Sequence, residues 1–249
     1  MLLGEPERTQ ADLNFRLFGF PVRVHPFFWL IAVLLGIRAS PDASALVMWI
    51  VAVFVGVLVH ELGHAFVMRW NGFYPGITLY GLGGMASYGQ GAYGARSLGP
   101  WRQIGISFAG PAAGFLLAAL VCAVLVISGT GVDAYWGLPL GLQLSPAGPI
   151  GSPLFTLFIH MILFVTVAYG ILNLMPIYPL DGGHIARELF LMAMPRDGIR
   201  SSLILSMITA GAIAVLGIMR GSFFLGILFG YLALGSYNTL QRYQGRGPW

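Results

Sequence analysis

Val57-Leu-Val-His60-Glu61-Leu-Gly-His64-Ala-Phe-Val67 lies inside an otherwise apolar segment that runs from about Ala45 to Trp70. A helix rises 1.5 Å per residue, so about 20 apolar residues cross the ~30 Å hydrocarbon core, and this segment is long enough to span. Residues four apart sit about 40° apart around a helix, which puts His60 and His64 on one face with Glu61 beside them. Two neutral imidazoles suit zinc, which lowers the pKa of a bound water from 15.7 to about 7, and an adjacent carboxylate can accept that water's proton. With 5 His in 249 residues, this H-E-x-x-H pattern arises by chance on the order of 0.002 times per chain. An acid inside a spanning segment costs about 2.5 to 3.5 kcal/mol on insertion scales, which a purely structural helix has no reason to bear.

The rest of the composition agrees with a membrane setting. The chain is 57% hydrophobic and 9% charged, with mean hydropathy +0.80, whereas soluble domains carry about 25% charge. Cys122 is the single cysteine, so neither a disulfide framework nor a thiolate metal cluster is expected. Metal ligands must then be His, Asp or Glu. The net charge of +4 is modest, its basic residues are all Arg and dispersed, and nucleic acid is not an expected partner.

Read in order, residues 1–25 form a polar, interfacial N-terminal segment whose Phe15–His25 part is expected to be extended at the membrane surface. The membrane domain is expected over 26–240, with its core at about 45–190, and 241–249 form a cytosolic tail. Six spans are expected, at about 26–37, 45–70, 101–128, 152–174, 199–219 and 222–240. The Gly-rich stretch Gly76–Gly94 is too broken for a helix, and alternation in Ile77–Tyr80 and Met85–Tyr88 predicts a short re-entrant β-hairpin about Gly81–Gly84. Gly110-Pro-Ala-Ala-Gly114 lets helices approach closely. Residues 129–151, with Tyr135 and Trp136, are expected to be an external interfacial loop. The fold class is thus all-α integral membrane, with about six transmembrane helices, one re-entrant hairpin and an N-terminal segment lying on the surface.

Arginine placement gives a topology. A cytosolic N-terminus puts Arg8, Arg16, Arg23, Arg69, Arg96, Arg102, Arg187, Arg196, Arg200, Arg242 and Arg246 inside, and only Arg38 and Arg220 outside, as the positive-inside rule requires. Both termini are then cytosolic, and His64 and Asp181 fall toward the cytosolic ends of their spans.

Catalytic zinc usually takes three protein ligands and keeps a fourth position open. Pro176 and Pro179 must break the fourth span in Asn173-Leu-Met-Pro176-Ile-Tyr-Pro179-Leu-Asp181-Gly-Gly-His184, freeing the chain to turn Asp181 inward. Asp181 is the first choice for third ligand, the alternative being a helix cap. His184, three residues on, is its rival. His160 is about 20 Å along a helix from Asn173 and reads as a packing residue, and His25 reads as an interfacial hydrogen-bonding residue.

His60-Glu-Leu-Gly-His64 together with Asn173-x-x-Pro176-x-x-Pro179-Leu-Asp181-Gly resembles the site-2 protease family of intramembrane zinc metalloproteases. The resemblance implies one zinc per chain on His60, His64 and Asp181, with Glu61 as general base and acid. It also implies that Asn173 binds substrate or the oxyanion. The Gly-rich stretch is similar to the family's re-entrant β segment, and Gly110-Pro111 to its small-residue motif. The family cleaves membrane-spanning segments of other proteins, so a transmembrane protein substrate and the lipid bilayer are the implied partners, often in regulated intramembrane proteolysis. The sequence as given leaves no room for a PDZ or CBS domain. An unwound substrate is expected to add a strand at an exposed edge, for which Ile77, Thr78, Leu79 and Tyr80 are the candidates.

Two other readings stand beside this one. A multispanning H-E-x-x-H protease of another type would take Glu188 as third ligand. A metal transporter or catalytically silent metal-binding membrane protein would need further polar sites along a path.

Overall fold

The computed structural model describes residues 6–37, 40, 42–81, 83–88, 98–137 and 141–245. Its elements are β1 (Leu13–Leu17), β2 (Phe20–Val24), α1 (Pro26–Gly36), α2 (Ala43–Trp70), β3 (Gly76–Tyr80), β4 (Gly83–Ser87) and α3 (Pro100–Ile127). They continue with β5 (Val132–Gly137), β6 (Gly141–Pro146), α4 (Pro153–Asn173), α5 (Asp181–Ala193), α6 (Gly198–Met219) and α7 (Phe223–Tyr243). Among the described residues five helices, α2, α3, α4, α6 and α7, are long and apolar enough to cross a membrane. The sixth expected span, α1, is an apolar helix of 11 residues, about 16 Å at 1.5 Å each, shorter than the core thickness. The basic residue Arg38, expected outside, and Arg96 and Arg246, expected inside, lie outside the described residues, as does the 89–94 part of the Gly-rich stretch.

The chain divides into two compact units, one of residues 1–95 and 109–170, the other of residues 96–108 and 171–249. In the first unit β1 to β4 form one sheet in that order, antiparallel between β1 and β2, parallel between β2 and β3, and antiparallel between β3 and β4. The expected hairpin is present as β3–β4. Tyr80 pairs with Gly83 across a turn in which Gly81 takes φ +52°, a conformation that favours glycine. The expected N-terminal extended segment is a hairpin of its own and shares this sheet.

Alternation decides the faces, since successive strand side chains point opposite ways. Phe20, Val22, Val24, Ile77 and Leu79 pack on Val57, Leu58, Leu62 and Ala65 of α2 and Phe28 of α1. Arg23 points the other way and is still buried. Its guanidinium meets the Asp12 carboxylate at 3.1 Å and donates to the Pro6 carbonyl at 2.9 Å, so the N-terminal residues cover that face. Hydrogen bonds from Thr9, then Arg23, hold the Asp12 carboxyl below its ordinary range. Arg69, in the last turn of α2, lies over the Phe20 ring at 3.5 Å and donates to the Phe18 carbonyl at 3.0 Å. His25 caps α1 by accepting from the Phe27 N–H at 3.1 Å, in keeping with a hydrogen-bonding role.

One expectation about this sheet is also corrected. Ile77–Tyr80 cannot be an open edge, because β3 is hydrogen-bonded on both sides, to β2 and to β4. Among the described strands the edge of the sheet on that side is β4. Residues 129–151 differ from the expected loop as well: β5 and β6 form a two-stranded antiparallel hairpin, with Trp136 opposite Leu142 and Tyr135 opposite Gln143.

In the second unit α6 and α7 pack together at glycines. A Cβ on Gly226 would stand 2.5 Å from Ile218 Cγ1, and one on Gly217 would stand 2.9 Å from Leu225 Cβ. The chain between Leu174 and Leu180 is not helical, as the two prolines demand, and Tyr178–Pro179 is cis. Ile177 anchors it, fully buried among Ala210, Ala214, Phe229 and Leu232.

Candidate metal centre

His60, Glu61 and His64 stand on consecutive turns of α2, all buried, at 2%, 3% and 7% exposure. The helix can carry them at this depth because Gly63 removes a side chain where α2 meets the middle of α3. A Cβ there would run into the Ala109 carbonyl oxygen and stand 2.7 Å from Ala113 Cβ. The small residues of α3 are therefore packing residues, as expected, and Gly110 has a second task. A Cβ on Gly110 would collide with His64 Nε2 and lie 2.7 Å from His60 Nε2. Both imidazoles thus turn the same nitrogen toward a space that exists only because residue 110 has no side chain.

These two Nε2 atoms are 3.2 Å apart. Zinc bonded tetrahedrally to two imidazoles at 2.0–2.1 Å holds their nitrogens about 3.3 Å apart. The pair and its glycine cradle fit a zinc ion. Within the first unit, His60 and His64 thus offer a metal two ligand atoms.

The carboxylate of Glu61 faces the re-entrant hairpin. A Cβ on Gly84 of β4 would stand 2.5 Å from Glu61 Cγ and 2.8 Å from its Oε1. The neighbouring Gly83 makes room in the same way for the Tyr169 hydroxyl, which a Cβ would approach to 2.5 Å. Tyr169, on α4, sets its ring edge-on to His60 with centroids 4.8 Å apart. Sequence reasoning did not single out Tyr169, Gly83 or Gly84. Tyr169 lies one helical turn before Asn173, and that spacing was the available signal.

Asn173, Asp181, His184 and Glu188 belong to the second unit, and His160 and Ile77–Tyr80 to the first. Asn173 is the last residue of α4 and is buried at 8% exposure. Asp181 is the first residue of α5, and the cap position is taken by Leu180 in extended conformation, so Asp181 is not the helix cap. His184 lies against Tyr178, ring centroids 5.5 Å apart. Glu188 is buried one turn further on. His160 is half-buried on the wall of a cleft lined by Pro146, Pro149, Pro153 and Thr156. Ile77, Thr78 and Leu79 are buried within the sheet, and Tyr80 is half-buried at its end.

Residues 48–217 of the chain match peptidase family M50. The structure is similar to the solved site-2 protease from Methanocaldococcus jannaschii, with a TM-score of 0.58 at 18% identity over 92% of this chain and 95% of that one. No curated protein matches the chain.

Proposed function

The chain belongs to peptidase family M50 and is an intramembrane metalloprotease, and from that premise we propose that it hydrolyses peptide bonds in or beside membrane-spanning segments of protein substrates, in regulated intramembrane proteolysis. His60, His64 and Asp181 would hold one zinc ion. The observation that carries this reading is the convergence of two Nε2 atoms, 3.2 Å apart, on the space left by Gly110. Zinc bound there would polarise a scissile carbonyl and acidify water at its open position.

The chain's own groups supply the rest. Glu61 takes a proton on its carboxylate and returns it to the leaving amine. Asn173 carries an amide N–H₂ that can donate to the carbonyl oxygen as negative charge develops on it. A substrate helix hides its carbonyls in i to i−4 hydrogen bonds, so it must unwind before cleavage. Its freed backbone groups cost several kcal/mol each in apolar surroundings unless they are paired. The edge strand β4 offers partners, and at Gly84 it runs beside Glu61. Ile77–Tyr80 then acts as the strand that holds β4. The multi-pass chain is placed with both termini and the site's nearer mouth on the cytosolic side, on the strength of the arginine distribution. M50 is a peptidase family, which favours proteolysis over metal transport.

Cleavage of a model membrane substrate in detergent, read together with bound zinc, tests this assignment. Glu61→Gln is expected to keep zinc and to lose about 10² or more in rate. Asp181→Ala is expected to lose most of the zinc, and His184→Ala to retain it. Wild-type turnover in the first variant, or the reverse zinc pattern in the other two, would sink the corresponding role.

A further inference from the structure

Two serines far from the motif grip the chain just before Asp181. Ser206 of α6 and Ser236 of α7 are 1% and 0% exposed. The Tyr178 N–H donates to Ser206 Oγ at 2.7 Å, the two serine oxygens are 2.7 Å apart, and Ser236 Oγ donates to the Tyr178 carbonyl at 3.4 Å. Only one arrangement of protons satisfies all three contacts: Tyr178 N–H to Ser206, Ser206 O–H to Ser236, and Ser236 O–H to the Tyr178 carbonyl. Each hydroxyl then accepts once and donates once.

The need for such a relay follows from the helix break. Pro176 and Pro179 prevent residues 174–180 from continuing a helical ladder, and an unpaired backbone group inside a membrane protein costs several kcal/mol. α6 and α7 otherwise meet through apolar and small residues such as Ala210, Ala214, Phe229 and Leu232. Hydroxyls at this interface have no reason to be there unless they are used.

The grip reaches Asp181 through backbone contact. The Leu180 N–H donates to the Ile177 carbonyl at 2.7 Å, and the Gly183 N–H donates to the Leu180 carbonyl at 2.9 Å. A Cβ on Gly183 would stand 2.6 Å from Ile177 C and from Tyr178 N, and one on Gly182 would strike the Leu174 carbonyl oxygen. The first turn of α5 therefore lies main chain to main chain on the segment that the serines hold. No flexible side chain intervenes to absorb a shift.

We propose that Ser206 and Ser236 are positioning residues for Asp181: by holding both peptide groups of Tyr178, they set the place of the carboxylate that completes the zinc ligands. This rests on the reading of Asp181 as third ligand. Ligand-orienting partners outside the first shell typically change metal affinity 10- to 100-fold.

The test measures zinc affinity by chelator competition on the full-length protein in detergent, with the thermal midpoint of each zinc-free variant alongside. Ser206→Ala is expected to weaken zinc binding by about tenfold or more. Ser236→Ala, which removes the longer end of the relay, is expected to weaken it less, and the double variant no more than Ser206→Ala alone, because the two act as one bracket. Ser202→Ala is the control. Ser202 is buried in the same helix but, among the described residues, donates only within its own helix, to the Ile199 carbonyl at 2.9 Å, so affinity there is expected to stay within about twofold while the zinc-free midpoint moves as it does for Ser206→Ala. Wild-type affinity in Ser206→Ala, or equal weakening in Ser202→Ala, overturns the bracket. Should Ser206→Ala not fold, Ser236→Ala decides by the same comparison. Asp181→Ala separates the two failures: if it binds zinc as wild type does, the ligand reading itself falls, whereas if it loses zinc and the serine variants keep theirs, only the bracket falls.

Discussion

Hairpin β3–β4 lies inside a four-stranded sheet, with Ile77 and Leu79 fully buried against α2 and with Gly83 and Gly84 pressed to Tyr169 and Glu61. Hairpin β5–β6 pairs, among the described residues, only with itself, and Trp136 on it is 82% exposed. Both alternate, and in both the alternation sorts side chains onto two faces. In β5–β6 the apolar face comprises Val132, Ala134, Trp136, Leu142 and Leu144, and the other carries Asp133, Tyr135, Gln143 and Ser145. A lone two-stranded hairpin is marginal in water, and a tryptophan is at home at a membrane–water boundary. This apolar face follows directly on the exposed Val124, Val126 and Ile127 at the end of α3. The difference teaches that strand pattern alone does not mark a functional strand. What marks β4 is that its glycines leave room for a tyrosine hydroxyl and a carboxylate.

The comparison breaks most visibly at Gly84. Gly84→Ala puts a Cβ 2.5 Å from Glu61 Cγ, and a displacement of about 1 Å at a reacting group can cost 10²-fold in rate. Cleavage is expected to fall by about that factor with zinc retained, so a variant that cleaves normally would detach β4 from the site. A proline scan sharpens the contrast with an intermediate effect. Proline at those alternate positions of Gly83–Ser87 whose N–H points away from β3 is expected to slow cleavage about tenfold, with zinc unchanged. If every position tolerates it, strand addition at β4 is wrong even where the zinc site is right. The smallest effect is expected in the other hairpin. Trp136→Cys, in a background lacking Cys122, should cleave within about twofold of wild type, since the Trp136 side chain is 82% exposed. It should label from the side opposite to a cysteine at Gln244, and labelling of both from one side would invert the topology.

How much of this was legible in the sequence depended on range. The long helices were: the expected 45–70 and 199–219 are α2 and α6 to within two residues, because twenty apolar residues leave the chain few alternatives. The shared face of His60 and His64 was legible for the same reason, as four residues on one helix fix it. Pairings between distant segments were not. Nothing local says that Val22–Val24 will lie beside Ile77–Leu79, so the sheet was seen as one hairpin and a surface strand, and β3 was taken for an edge. Val132-Asp-Ala-Tyr-Trp136 does alternate, but glycine and proline around it pointed to a loop. Gly84 and Gly110 were opaque for another reason. Their part in the site is the absence of an atom at a tertiary contact, and no spacing rule registers that. Ser206 and Ser236 stand 30 residues apart in helices whose apolar pattern drew attention away from them.

The parallel pairing of β2 with β3 carries a consequence for how the chain is made. Parallel strands need a long crossover, and here the crossover is α1 and α2 themselves. During synthesis β2 leaves the ribosome with only β1 to pair with, and its second partner arrives after both helices have emerged. The motif-bearing helix thus enters the bilayer before the strands that flank Glu61 exist. High contact order slows closure of the sheet, so the wall beside the carboxylate closes only after α2 is complete. A nascent chain halted before Gly76 carries the H-E-x-x-H helix but neither β3 nor β4 beside it.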